Sequence, residues 1–391
     1  MRKIIYIDDK NDMGGGQYQL ISLLKYLRHV TELNLVCIVD KNADKMIEHL
    51  RRLDITHYTL NLSHGYKTKV GWKKLWINIR QELVNFGSLI RSLFALDEII
   101  RKEKPDLLCA CTFRTALLFS VLSLFFKRCS SIYYVMNSRY FVDHGFFERF
   151  VFKIMDGFTF NSEYTKGTYD IVRGTKPYLI NYSVVEPPYI DPDTSSATRI
   201  KMDAIRNGSD LLIGFVGSIV PRKRVEKFVE MANILISRGF SAKFILIGEL
   251  GGKEYSSTLR KLTEKISAGN FLFTGHVDDI YTHISALDLL VLPSEGEGFG
   301  RVVIEAVMLN TPVVATSPGG VVEILEDVEN CIVVERNDAQ RLANAAEKIL
   351  SVDGDRTPRT PSLFNDKFSI KNIVSREIEF YKKIILAKEK K

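Results

Sequence analysis

The chain has 391 residues, 46% apolar and 26% charged, an ordinary globular composition with length for two or three domains, which excludes disordered, collagen-like and small disulfide-scaffold classes. Its five cysteines (Cys37, Cys109, Cys111, Cys129 and Cys331) form neither a C-x-x-C pair nor a Cys/His array of zinc spacing, which favours a reducing compartment. The net charge of +7 is uneven, with 16 Lys and Arg against 8 Asp and Glu in residues 51–150 and 27 against 28 in residues 191–391; no helix-turn-helix, RNP or zinc-finger pattern accompanies the surplus, so it points to an anionic membrane surface or a phosphate-bearing acceptor rather than to nucleic acid.

In chain order, the apolar run Ile4–Ile7 reads as a buried strand, and Asp8, Asp9 and Lys10 directly after it leave no room for a signal-peptide core, so a cytoplasmic chain is expected. A glycine turn, Asn11 to Gln17, then leads into the helical pattern Tyr18–Leu27; it is not G-x-G-x-x-G and is poor evidence for a dinucleotide. Leu33–Val39 is the next strand. Residues 66–80 hold both tryptophans, Trp72 and Trp76, among Lys67, Lys69, Lys73 and Lys74, a composition that suits either an ordinary amphipathic helix or peripheral contact with the inner face of an anionic membrane. Leu107–Ala110, Ile132–Met136 and Gly157–Phe160 complete a first series of strands. The apolar run Ala116–Phe126 among them is far shorter than the roughly 20 residues that cross a bilayer.

Glu186 to Ser196 is rich in proline, which lacks a donor and biases its neighbours toward extended backbone, so a linker is expected there. A second series of strands follows: Leu211–Val216, Lys243–Ile247, Phe271–Thr274, Leu289–Pro293, Pro312–Thr316 and Cys331–Val334. This alternation predicts an α/β chain of two doubly wound parallel sheets. The expected domains are 1–186, a linker over 187–207, a second domain over 208–365 and a terminal helix over 366–391.

Ligands of open parallel sheets bind at the carboxyl ends of the strands. The densest such place is Pro293 to Ala306, which leaves a strand, turns through Gly296, Gly298 and Gly300 and enters a helix. Glycines let backbone N–H groups approach an anion, and the helix start adds unpaired donors. Carboxylates there suit sugar hydroxyls, since one carboxylate accepts two hydrogen bonds from a vicinal diol. Glu305 is the only charged residue from Val302 to Leu309, so its burial is costly unless a ligand donates to it or an internal ion pair or loop cap engages it.

The pattern E-G-F-G-x-x-x-x-E with Ala306, Pro312 to Ala315 and Gly319 to Glu323 resembles the signature of retaining glycosyltransferases of the GT-B fold, specifically glycosyltransferase family 4. The resemblance implies two Rossmann-like domains facing a cleft and transfer of a hexose from a UDP- or GDP-linked donor to a glycan or lipid-linked hydroxyl. It further implies retention of configuration, no cofactor beyond the donor substrate, and a place in bacterial surface polysaccharide or lipopolysaccharide synthesis. It puts Glu297 on the transferred sugar, the amides of Gly298, Phe299 and Gly300 on sugar and diphosphate, and Glu305 on the ribose. Gly217 to Arg224 resembles the loop whose arginine and lysine grip the diphosphate: Lys223 falls on the lysine, Ser218 replaces the arginine, and Arg222 or Arg224 supplies the charge instead. Gly15 and Gly16 fall beside donor phosphate and acceptor. Asn137 stands where the family commonly has a histidine near the sugar, with Arg139 and His144 close by in sequence, while His276 and Val277 fall beside the nucleobase. Residues 368–388 resemble the family's last helix, which crosses back to the first domain. No metal is expected, since no isolated D-x-D stands at a strand end and Asp191-Pro192-Asp193 lies in the linker. A sugar-nucleotide epimerase of the same fold and a non-catalytic GT-B partner that binds membrane or another transferase are the rival readings.

Overall fold

The computed structural model describes residues 2–62, 91–125, 129–137, 145–169, 176–186, 188–206, 208–335, 338–352, 356–358, 360 and 366–390. They divide into two compact units. Unit 1 comprises Met1–Asn161, Thr165–Val184 and Ile370–Lys391, and unit 2 comprises Ser162–Tyr164 and Val185–Ser369.

Unit 1 holds strands β1 (Arg2–Asp8), β2 (Leu33–Asp40), β3 (Thr56–Leu60), β4 (Leu107–Ala110), β5 (Ser130–Val135), β6 (Gly157–Phe160) and β7 (Tyr178–Ile180). Its described helices are α1 (Gly15–Leu27), α2 (Asp44–Arg52), α3 (91–103), α4 (Phe113–Phe125), α5 (Gly145–Ile154) and α6 (Glu163–Gly167), whose first two residues count with unit 2. In unit 2, α7 (Pro192–Arg206) leads into β8 (Leu211–Val216), α8 (Val225–Ser237), β9 (Ala242–Ile247), α9 (Lys253–Ser267), β10 (Phe271–Gly275) and α10 (Ile280–Ser285). It continues through β11 (Leu289–Leu292), α11 (Arg301–Met308), β12 (Val313–Ser317), α12 (Val321–Leu325), β13 (Ile332–Glu335) and α13 (Ala339–Leu350). The last helix, α14 (Ile370–Glu389), returns to unit 1.

Both sheets are parallel throughout, in the orders β3-β2-β1-β4-β5-β6-β7 and β10-β9-β8-β11-β12-β13. Each has the doubly wound order in which the chain reverses direction beside its first strand, between β1 and β4 in unit 1 and between β8 and β11 in unit 2. Central strands read as unbroken apolar runs because helices cover both faces: Ile4 to Ile7, β4, β5 and β11 are buried along their length. The chain is an α/β protein with two Rossmann-like parallel sheets, as the resemblance to the GT-B fold implies.

Three features depart from the sequence expectation. Strands β3 and β7 were not read from the sequence: β3 (T-H-Y-T-L) has no apolar run and β7 (Y-L-I) is only three residues long; they are the two edges of the first sheet, half-exposed, and need only one covered face. The expected linker contains α7, because proline is compatible with the first turn of a helix and Met202, 1% exposed, anchors it in unit 2. The units also divide between Val184 and Val185 and again at Ile370, a few residues from the bounds expected.

In unit 1, α14 is fastened by a buried polar cluster rather than by apolar packing alone. The hydroxyls of Tyr6 and Tyr381 lie 2.6 Å apart, Tyr134 donates to Glu377 at 2.5 Å and also meets Tyr381, and Asn181 Nδ2 donates to Glu377. Burial pushes the Glu377 carboxyl up despite these donors. The five cysteines are all free, four of them buried. Among the described residues, no helix is long and apolar enough to cross a membrane.

Candidate active site

The carboxyl end of β8 turns sharply at Gly217, whose φ is 141°. Gly248, at the end of β9 with φ 142°, presses against it so closely that a Cβ there would sit 2.1 Å from the Gly217 oxygen. Both glycines are therefore demanded by close approach and by backbone conformation. A single 3₁₀ turn, Pro221–Lys223, follows, and Arg224 leaves it in the left-handed conformation with φ 49°. Three successive cations thus take different directions. Arg224 pairs with Glu295 at 2.7 Å and with Glu226 at 3.5 Å. Lys223 Nζ donates to Glu297 Oε2 at 2.5 Å, and Arg222 Nη1 stands 3.5 Å from the same oxygen. Of the two arginines left open by the sequence, Arg222 is the one beside Lys223 at Glu297.

The facing loop after β11 is held by backbone. Glu295 N donates to Arg222 O at 3.1 Å, Gly320 N to Glu297 O at 2.8 Å, and Thr316 Oγ1 to Ser294 O at 2.6 Å. Gly319 and Gly320 let α12 approach this loop: a Cβ on either would lie 2.8 Å from Glu297 O or 2.4 Å from Gly298 O. Phe299, 3% exposed, turns its ring into the core toward Phe368, so at that position only backbone remains for a ligand. Gly300, with φ 94°, caps α11, and no side chain closes the helix start.

The two glutamates differ in electrostatics. Burial would raise Glu297, but the Lys223 and Arg222 charges and the hydrogen bond from Lys223 outweigh it and hold the carboxyl below its usual range. Glu305, on the second turn of α11, is raised by burial, and its nearest cation, Arg301, is 3.8 Å away, beyond hydrogen-bond range. No described residue donates a hydrogen bond to Glu305, although its side chain is only 14% exposed. Tyr281 of α10 lies within its field; burial and then the Glu305 charge push that phenol up. Tyr281, Arg301 and the Arg224–Glu295 pair were not singled out from sequence, and an i, i+4 spacing from Arg301 to Glu305 was the one signal that pointed to any of them.

His276 and Val277 follow β10 beyond Gly275, whose oxygen accepts from Gly248 N at 2.9 Å; this ties their loop to the end of β9. The His276 ring is about half-exposed and 3.6 Å from Asp278.

In unit 1 the glycine turn opens α1, with Gly14 as N-cap and Gln17 Oε1 accepting from Gly14 N at 3.2 Å. Gln17 Nε2 donates to Asp8 at 3.1 Å, and burial raises the Asp8 carboxyl to about 6. Gly15 is open to solvent, while a Cβ on Gly16 would lie 3.1 Å from Met136 Sδ, so the turn and the end of β5 are neighbours. Asn137 is exposed, and its backbone oxygen accepts from Tyr169 at 3.0 Å. Arg139, His144, Trp72 and Trp76, with Lys67, Lys69, Lys73 and Lys74, lie outside the described residues. Among the described residues, no three His, Cys, Asp or Glu side chains come together as a metal-holding group.

Residues 210–352 match the family described as Glycosyl transferases group 1. The chain is a glycosyltransferase of the GT-B type. It is 24% identical to the capsular polysaccharide biosynthesis glycosyltransferase CapM of Staphylococcus aureus, over 77% of this chain and 81% of that one. A GDP-mannose-dependent phosphatidylinositol monomannoside mannosyltransferase of Mycobacterium tuberculosis is 28% identical over about half of each chain. In three dimensions the glycosyltransferase superposes on Anabaena Alr3699/HepE, solved with UDP and glucose, with a TM-score of 0.77 at 17% identity, covering 98% of this chain and all of the other.

Proposed function

We propose that the protein moves a hexose from a UDP- or GDP-linked sugar to a hydroxyl of a glycan or lipid-linked acceptor, with retention of configuration and without a metal, in the building of bacterial surface polysaccharide. The observation that carries this reading is Glu305: a carboxylate nearly buried, with no hydrogen bond among the described residues, on the helix that follows the loop carrying Glu297, the partner of Lys223 and Arg222. An ionised group in that position is costly until a ligand supplies donors, and the 2′- and 3′-hydroxyls of a ribose are two adjacent donors. Lys223 and Arg222 then stand where negative charge grows on a leaving diphosphate, and the amides of Gly298 to Gly300 add neutral donors at the open start of α11. Glu297 receives hydroxyls of the transferred sugar. Gly217 admits the diphosphate, and backbone groups of His276 and Val277 read the base. In unit 1, Gly15, Gly16 and Asn137 serve the acceptor and the sugar.

Retention follows from attack on the face that the leaving group vacates, through an oxocarbenium-like state in which the departing diphosphate is stabilised by the same cations. Thermal shift with UDP, GDP and their sugars tests the donor: a ligand at 100 times its dissociation constant raises stability by about 2.7 kcal/mol, and no shift with any of them refutes the reading. The anomeric signal of the first product by NMR tests retention. Activity lost in chelator and restored by manganese would refute metal independence.

CapM names capsule synthesis and the mycobacterial relative a lipid acceptor, which supports a surface-polymer or lipid-linked acceptor here. The basic surplus in residues 51–150 supports peripheral membrane contact through unit 1. Binding to anionic vesicles that weakens as salt rises is the expected result, and equal binding to neutral vesicles would overturn it.

A further inference from the structure

Lys223 and Glu297 bind each other, yet the proposed function assigns them to different parts of one ligand, the lysine to the diphosphate and the glutamate to the sugar. Their side chains are each 13% exposed, and Glu297 Oε2 is the one acceptor of Lys223 among the described residues. A diphosphate that takes Lys223 therefore competes with Glu297 for its charge, inside a site where both side chains are nearly buried. Arg222, at 3.5 Å and 36% exposed, is the other cation beside the carboxylate and lies on the same diphosphate-facing turn.

We propose that a nucleoside diphosphate exchanges this ion pair: the diphosphate takes Lys223, and Glu297 takes up one proton from solvent and returns it when the diphosphate leaves. The inference rests on the donor reading above. No covalent bond is made or broken; the buffer's acid form gives a proton to Glu297 Oε2 and recovers it on release.

The physical argument is a balance with one side removable. Burial opposes the Glu297 charge and is the largest influence on it; the Lys223 and Arg222 cations overcome burial and keep it ionised in the free protein. Drawing Lys223 away and placing a ligand of at least two negative charges beside the carboxylate removes one favourable contribution and adds an unfavourable one, while burial stays. Other charged groups on the packed elements do not replace Lys223. Arg224 is committed to Glu295 and Glu226, Arg301 pairs with Glu305 on α11, and Glu295 and Glu323, on the loop and on α12, are acidic. An ordinary donor sugar presents hydroxyls, which a neutral carboxyl can both accept from and donate to. The free diphosphate presents none, so the proton stays longest after the sugar has gone.

The test is calorimetry of UDP, GDP and ADP binding to the full chain at pH 7.5, in two buffers of different ionisation heat, for the native protein and Glu297→Gln. A terminal phosphate titrates near pH 6 on its own account, and the difference between the two proteins cancels that contribution. The expected result is that the native protein takes up more protons than Glu297→Gln, by up to one. Its Kd also rises by up to about tenfold per pH unit above neutrality, a slope that the variant lacks. Equal proton counts in the two proteins would overturn the proposal. Should Glu297→Gln fail to fold, infrared difference spectra of the native protein decide: UDP must bring up the carbonyl band of a protonated carboxyl, and its absence overturns the exchange. Failure of all three nucleotides to bind removes the donor reading itself, a result distinct from binding without proton uptake.

Discussion

Glu305 and Lys223 put opposite demands on stability and function. Because burial raises the Glu305 carboxyl with no hydrogen bond to offset it, the folded protein holds that proton more tightly than the unfolded chain. The stability this confers is complete below the ordinary carboxyl range and is lost as pH rises through the shifted value. Glu305→Gln should then gain thermal stability relative to the native protein as pH increases from 4 to 8, by scanning calorimetry, while its affinity for the nucleotide falls about tenfold or more, since charged hydrogen bonds are worth about 1.5–3 kcal/mol. A mutant equally tight for nucleotide would remove the ribose role. Lys223→Ala should leave the fold intact and lower kcat by about a hundredfold or more, the usual loss for one donor aimed at developing charge; activity within a few fold of native would move that role to Arg222. Glu297, Glu305 and Lys223 were legible as residues because their spacing is set by one loop and one turn. Their partners were not. Whether Arg222 or Arg224 joins Lys223 depends on the left-handed backbone of Arg224, and the closeness of Tyr281 to Glu305 depends on how α10 packs on α11.

Elements were legible in proportion to their burial. The nine central strands announce themselves as apolar runs because both faces are covered, and the edge strands β10 and β13 show shorter ones, whereas β3 (T-H-Y-T-L) and β7 (Y-L-I) obtain their pairing from a neighbour already in place. The last helix was placed by resemblance, but what fastens it could not be read from a pattern: Tyr6, Tyr134, Asn181, Glu377 and Tyr381 come from four separate parts of the chain. Such a cluster has many geometric requirements, so it selects one register for α14, at the cost of burying an acid. Tyr381→Phe removes the hydroxyl that faces both Tyr6 and Tyr134 and leaves their buried oxygens with fewer partners. The expected loss is about 1–3 kcal/mol in urea unfolding. A loss under about 0.5 kcal/mol would show that apolar packing by Phe380, Ile384 and Ile385 holds the helix by itself.

At the scale of the whole molecule, most of the residues proposed for the donor belong to one unit, and those proposed to serve the acceptor as well belong to the other. Gly217, Arg222, Lys223, His276, Glu297 and Glu305 all belong to unit 2; Gly15, Gly16 and Asn137 belong to unit 1. Each unit has its own parallel sheet and its own buried residues, the usual condition for a domain to fold alone. Unit 2 is nearly continuous in sequence, since apart from Ser162–Tyr164 it runs from Val185 to Ser369, whereas unit 1 needs α14 from the far end of the chain. The two should therefore behave differently when separated. A fragment of residues 185–369 is expected to fold cooperatively and to bind the same nucleoside diphosphate as the full chain, with affinity within about tenfold, a difference of about 1.4 kcal/mol. It should transfer no sugar. The complementary fragment ending at Val184 should be insoluble or unfolded, because without α14 it exposes Tyr6, Tyr134 and Asn181 together with the apolar surface beside them. Circular dichroism and titration calorimetry read both outcomes. If the 185–369 fragment folds but does not bind a nucleotide that the full chain binds, donor recognition requires unit 1, and Gly15 and Gly16 become the first residues to examine for it.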